Sequence, residues 1–135
     1  MSLDRLRNRC PSAHELGNAI LRGYALAFTG WSKRWNGGVA TIIENSGQQV
    51  EGVLFEVTMQ ELVALDDIEG KDYRREQVDV EGPDGSVTAQ VYRRNEEARA
   101  IPAMEYFASI VAQYRERGFR ESALIDALVG EKEAA

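Results

Sequence analysis

The sequence predicts an α+β fold in which the sheet dominates. Three observations predict it. Residues 19–28 are too apolar on both faces for a surface strand and read as a central one. Two further pairs of strand-like stretches, 39–43 with 49–57 and 73–80 with 86–92, are each joined by a turn signal. Three segments with helical spacing lie among and after them, which is the α+β pattern. At 135 residues the chain is the size of one domain, expected over residues 1–135. That length buries a core without disulfides or a structural metal.

Residues 4–9 are polar and suit a short helix that stops near Pro11. In the central strand 19–28, Gly23 marks a point of close approach. Residues 29–38 (TGWSKRWNGG) read as a loop, in which Trp31 and Trp35 either wall a pocket or cover one end of the sheet. Strands 39–43 and 49–57 are expected to form a hairpin turning at Asn45-Ser46-Gly47. A helix over 59–69 starts at a capping box, Thr58 with Glu61 three residues on, and stops at Gly70. Strands 73–80 and 86–92 form the second hairpin through Gly82-Pro83-Asp84-Gly85. The next helix begins after Pro102 and runs to about Arg117 with an apolar stripe of Met104, Phe107, Ala108 and Val111, and Gly118 ends it. The last, over 121–129, buries Leu124 and Leu128, and the charged tail 131–135 frays.

Net charge is −6 and no Lys/Arg cluster stands out, so no nucleic-acid partner is expected. No apolar run approaches a membrane span and the N-terminus has no apolar signal core, so no membrane partner and a cytoplasmic location are expected. One cysteine, Cys10, rules out an internal disulfide. With His14 as the only histidine, a His/Cys zinc site is excluded. Cys10 reads as a packed thiol and His14 as surface.

The helix over 59–69 holds the anomaly. With Met59 at zero and about 100° per residue, Leu65, Leu62, Met59 and Val63 span an arc from roughly 240° through zero to 40°. Glu69 falls at roughly 280° and Asp66 at roughly 340°, inside that arc. Two carboxylates therefore share the apolar face. Burying an ionised carboxylate is costly unless it is paired. Burial, a neighbouring acid and the helix dipole all raise the proton affinity of Glu69, which suits it to moving protons near neutral pH. The plainer reading is an ion pair with Lys71, Arg74 or Arg75. Asp66 suits a structural role, accepting backbone or tyrosine hydrogen bonds. Tyr73, at the start of its strand, and Tyr92, at the end of the partner strand, are placed to support a carboxylate or a substrate, or simply to build the sheet.

Arg9-Cys10-Pro11-Ser12-Ala13, Gly23-Tyr24-Ala25-Leu26-Ala27-Phe28, Gly37-Gly38-Val39-Ala40-Thr41-Ile42, Val50-Glu51-Gly52-Val53-Leu54-Phe55 and Leu65-Asp66-Asp67-Ile68-Glu69-Gly70 resemble successive blocks of the γ-glutamylcyclotransferase-like family. Tyr73, Ala89-Gln90-Val91-Tyr92 and residues 102–118 continue the resemblance in order. It implies a small mixed β-barrel with flanking helices. It implies an enzyme that converts a γ-glutamyl amino acid or amine to 5-oxoproline and free amine, without metal or cofactor. The substrate's α-amine attacks its own γ-carbonyl, so one carboxyl group that removes and returns a proton suffices, and the site folds the substrate for cyclisation. By resemblance Glu69 takes that acid/base role, with Tyr73, Tyr92, Gly37 and Gly38 as substrate-binding positions.

The resemblance departs at the N-terminus. The family opens with a strand running into Tyr-Gly-Ser-Asn, which cradles the γ-glutamyl group, whereas this sequence begins just after that point. Either the start was assigned too late, or this is a family member without that loop. In both cases the 135-residue chain is expected to lack a strand and a pocket wall, to turn over little substrate, and to offer an exposed strand edge for a homo-oligomer. The alternative function is a non-catalytic binding or interaction module of the same fold.

Overall fold

The computed structural model describes residues 3–128. Helix α1 (Leu3–Arg9) leads into β1 (His14–Ser32), which turns back as β2 (Gly37–Glu56). Helix α2 (Met59–Glu69) and one 3₁₀ turn (Gly70–Asp72) precede β3 (Tyr73–Gly82) and β4 (Gly85–Arg94). Helices α3 (Met104–Arg117) and α4 (Ser122–Leu128) complete the described chain. The strands form one antiparallel sheet in the order β2-β1-β3-β4, so the α+β architecture stands.

The first expected hairpin is not there. β2 passes through Asn45-Ser46-Gly47 as one strand and pairs along its length with β1. Arg22 faces Gln49 and Tyr24 faces Glu44, so residues 45–48 bulge opposite Gly23. Gly23 and Gly47, with φ of 84° and 87°, absorb the distortion in a region that side chains disfavour. The turn signal bends the strand without reversing it, because the 19 residues of β1 offer a continuous ladder that a local hairpin cannot match. The loop expected over 29–38 is also mostly strand. β1 continues to Ser32, which pairs with Gly37, and only residues 33–36 turn. The second hairpin forms as expected, with Gly82 facing Gly85.

Apolar side chains gather in three clusters. Ala19, Leu21, Ile42, Val78 and Val80 pack on the sheet. Leu6, Cys10, Ala13 and Leu65 bind α1 and α2 to its end. Phe28, Tyr114, Leu124 and Ala127 seat α3 and α4 on β1. The stripe on α3 is shifted from the expected one: Met104 is 85% exposed and Ala108 is exposed, while Tyr106, Phe107, Ile110, Val111 and Tyr114 turn toward Phe28. On α4 Leu124 is buried as expected, but Ala127 takes the inner place assigned to Leu128, which stays exposed. Val129 and the tail 131–135 lie outside the described residues.

Backbone pairing does not close the sheet among the described residues. Its outer strands meet through side chains instead. The backbone N–H of Arg94 donates to Thr41 Oγ1 at 2.9 Å, and Arg93 Nε donates to the Ile42 carbonyl at 3.2 Å. The segment after β4 then crosses the far end of β1 and β2. Gly30 N–H donates to Ala98, Ala100 N–H to Phe28 and Gly38 N–H to Ile101, each at 3.0 Å.

Candidate active site

Helix α2 is fixed at its start by the capping box expected from sequence. Glu61 N–H donates to Thr58 Oγ1 at 3.1 Å, and Thr58 N–H donates to Glu61 Oε1 at 3.0 Å. The second oxygen of Glu61 accepts from Ser12 N–H at 2.9 Å, which ties the helix to the α1–β1 connection. These bonds to the anion hold the Glu61 carboxyl below its ordinary pKa. Gly70 ends the helix at a φ of 63°.

The inner face of α2 is narrower than the sequence projection. Met59 is 74% and Val63 54% exposed, while Leu65 is buried and Leu62, Asp66 and Glu69 are half-buried. α1 and β4 cover the helix from one side only, so the arc excludes Met59 and Val63. It runs from Glu61 at roughly 200° to Asp66 at roughly 340°, which puts Glu69 near its centre.

Glu69 keeps 17% of its side chain exposed and lies 4.0 Å from the Arg9 guanidinium of α1. Two of the three expected candidates for its ion pair are engaged elsewhere: Arg75 Nε donates to Asp66 at 2.9 Å and Arg74 Nε to Glu76 at 2.5 Å. A cation thus sits beside Glu69 from the other side of the fold. Sequence reading missed Arg9, because no local spacing links the end of α1 to the end of α2.

Asp66 has the structural role expected of it. Tyr92 O–H donates to Asp66 Oδ1 at 2.5 Å, and its oxygen lies 3.4 Å from the Leu62 carbonyl. The Tyr92 hydrogen bond first, and the Arg75 hydrogen bond second, hold the Asp66 carboxyl below the usual range. Burial, then the hydrogen bond and charge of Asp66, hold the Tyr92 phenol well above its own, and the Glu69 charge adds to that. The proton of Tyr92 is therefore committed to Asp66, and its oxygen is left to accept.

Tyr73 opens β3 four residues after Glu69 and pairs with Arg94. The Arg94 guanidinium lies over its ring, 5.3 Å from the centroid. Gly37 and Gly38 sit at the far end of the β1–β2 ladder, against the segment after β4. A Cβ on Gly37 would fall 2.7 Å from the Ala103 nitrogen, and one on Gly38 2.3 Å from the Ala100 carbonyl oxygen. Glu69, Asp66, Tyr92 and Arg9 form one group; Gly37 and Gly38 are held by a different part of the chain. Of the two tryptophans, Trp35 packs on Tyr106 with ring centroids 5.0 Å apart, while Trp31 is 62% exposed.

Three buried polar atoms lack a hydrogen-bond partner among the described residues: Thr29 Oγ1, Arg94 Nε and Arg99 Nη1. Sequence reading singled out none of these residues. The signal for Arg94 was present in Arg93-Arg94, since neighbouring residues on a strand face opposite sides and two successive charges cannot both face water. Arg93 is 5% exposed and is satisfied by Glu76 at 2.9 Å and by the Ile42 carbonyl. Among the described residues, no group of three His, Cys, Asp or Glu side chains converges as a metal site requires. No described helix is long and apolar enough to cross a membrane.

The profile of the family described as gamma-glutamyl cyclotransferase, AIG2-like, matches residues 3–108. The chain belongs to that family. A gamma-glutamylcyclotransferase of Mus musculus is 29% identical over 123 residues, which cover 85% of this chain and 65% of that protein. Its Homo sapiens counterpart is 30% identical with the same coverage, so the chain spans somewhat less than two thirds of these curated relatives. A solved gamma-glutamyl cyclotransferase superposes with a TM-score of 0.80 at 28% identity, over 93% of this chain and 79% of that one. A second solved structure, a human protein, superposes at 0.79 with 29% identity, over 92% and 78%. The cyclotransferase fold therefore extends over α1, the four-stranded sheet and α2, the elements that carry Arg9, Tyr92, Asp66 and Glu69.

Proposed function

We propose that the protein is a γ-glutamylcyclotransferase in which Glu69 is the general acid/base. The substrate is a γ-glutamyl amino acid or amine, and the products are 5-oxoproline and the free amine. The α-nitrogen of the substrate forms a bond to its own γ-carbonyl carbon, and the bond from that carbon to the leaving nitrogen breaks. Glu69 takes the proton lost by the α-nitrogen and returns it to the leaving amine, so charge and protons balance without a second reactant. The rest of the acceleration comes from holding the chain of the γ-glutamyl group folded, which turns the attack into a ring closure.

The observation that carries this reading is the position of Glu69. It is an inward-facing carboxylate at the centre of the covered arc of α2, rimmed by Arg9 and by the Asp66–Tyr92 pair, in a chain of cyclotransferase fold. Tyr92 and Tyr73 are the flanking groups offered to substrate, the first as an acceptor. The test is formation of 5-oxoproline from γ-glutamylalanine and from γ-glutamylmethylamine, by this chain and by the longest in-frame product that includes it. Turnover by the latter, lost on Glu69→Gln, is the expected result. If neither product turns over either compound, the fold serves as a binding module instead.

A further inference from the structure

We infer that Arg94, held on Tyr73, forms a carboxylate-binding subsite for the γ-glutamyl substrate; this rests on the proposed cyclotransferase reading. Arg94 is 8% exposed. A buried guanidinium normally has a carboxylate beside it, because an unpaired charge away from water is strongly disfavoured. Here no Asp or Glu among the described residues forms an ion pair with it, and its Nε has no acceptor. Arg93, its neighbour, shows the contrast, since Glu76 neutralises it at 2.9 Å.

The side chain of Arg94 is nevertheless held in one place. Its backbone is anchored at Thr41 Oγ1. Its guanidinium lies over the Tyr73 ring and against Gly30, where a Cβ would fall 2.5 Å from Nη2. A planar guanidinium, held in place and without a carboxylate of the described residues beside it, matches the two oxygens of a ligand carboxylate.

The location suits a substrate of Glu69. Tyr73, which carries the Arg94 guanidinium on its ring, follows Glu69 by four residues, a Cα separation of at most about 14 Å. γ-Glutamyl compounds offer two sources of carboxylate. Every one has the α-carboxylate of the glutamyl group, and γ-glutamyl amino acids carry another on the leaving amine.

Arg94→Met tests this, because Met fills the space without charge. Binding of γ-glutamylalanine, γ-glutamylmethylamine and 5-oxoproline is measured by calorimetry in the Glu69→Gln background, with and without Arg94→Met, and thermal unfolding is followed in each. Arg94→Met is expected to weaken γ-glutamylalanine roughly tenfold to a hundredfold, the effect of losing a charge-assisted hydrogen bond. It is also expected to leave the unliganded protein as stable as before or more so, because an unpaired buried cation is removed. Equal weakening for γ-glutamylmethylamine and 5-oxoproline assigns the glutamyl carboxylate; weakening confined to γ-glutamylalanine assigns the carboxylate of the leaving amine. Unchanged affinity for all three compounds overturns the subsite, as does a variant that unfolds more readily yet binds normally. Arg94-dependent binding without any turnover by the wild-type protein keeps the subsite and rejects the catalytic reading.

Discussion

Tyr92 and Asp66 share the hydrogen bond that holds the last turns of α2 against β4, and with it the orientation of Glu69. Tyr92→Phe removes the donor and leaves Asp66 with Arg75. The expected result is a lower urea midpoint at neutral pH and a kcat reduced by severalfold, because Glu69 loses positioning and not identity. The pH dependence has a definite sign. Asp66 is held below its ordinary pKa in the folded state, so its contribution is present above the unfolded value, about 3.9, and disappears as pH falls through the folded one. The stability gap between wild type and Tyr92→Phe should therefore shrink in urea titrations below about pH 4. A gap that persists at pH 2 would mean the hydroxyl acts through something other than the Asp66 anion. Much of this group was legible in sequence, because i, i+3 spacing puts Asp66 and Glu69 on one helical face. The partner of Glu69 was not. Arg9 arrives from a helix sixty residues earlier, brought there by the packing of Leu6 and Cys10 against Leu65 and by the Ser12–Glu61 hydrogen bond.

The elements that carry the site depend on a few local devices. The capping box sets where α2 begins and hence which residues face inward. Thr58→Ala should cost about 1 kcal/mol of stability in chemical denaturation, the usual worth of an N-cap side chain. Glu61→Ala should cost more than Thr58→Ala, because Glu61 also accepts from Ser12. At the other end of the molecule Gly38 lets the segment after β4 lie on β2. Gly38→Ala places a methyl group on the Ala100 carbonyl and should destabilise by about 1–3 kcal/mol, the range for overpacking. Gly52→Ala in the same strand meets nothing within 4 Å and should be within about 0.5 kcal/mol of wild type. Equal effects of the two would show that close approach is not why Gly38 is a glycine. The capping box, the second hairpin and the helix stop at Gly118 were readable because each is a local pattern. The bulge at residues 45–48 was not. Asn45-Ser46-Gly47 carries the same local signal whether the chain reverses or bends, and the partner strand decides between them.

The molecule as a whole is an antiparallel sheet whose outer strands are bound by two arginines at the end of β4. Arg93 joins the Ile42 carbonyl of β2 to Glu76 of β3 and lies over the Tyr24 ring of β1. Arg93→Ala should lower stability by about 2 kcal/mol, less than the loss from breaking a fully buried pair, because Glu76 is 31% exposed and keeps Arg74. The α+β class and the order of the elements could be read from periodicity, and the family from ordered blocks. How the sheet curls could not, since it rests on side chains that cross between strands distant in sequence. That curl brings α1, α2 and β4 around Glu69, on which the functional account depends. The most direct measurement is 5-oxoproline release by the longest in-frame protein and its Glu69→Gln variant, with 5-oxoproline binding measured in both. The account predicts that kcat falls by about 10²–10⁴, the contribution of a general acid/base, while binding changes little. Undiminished turnover by Glu69→Gln would contradict it.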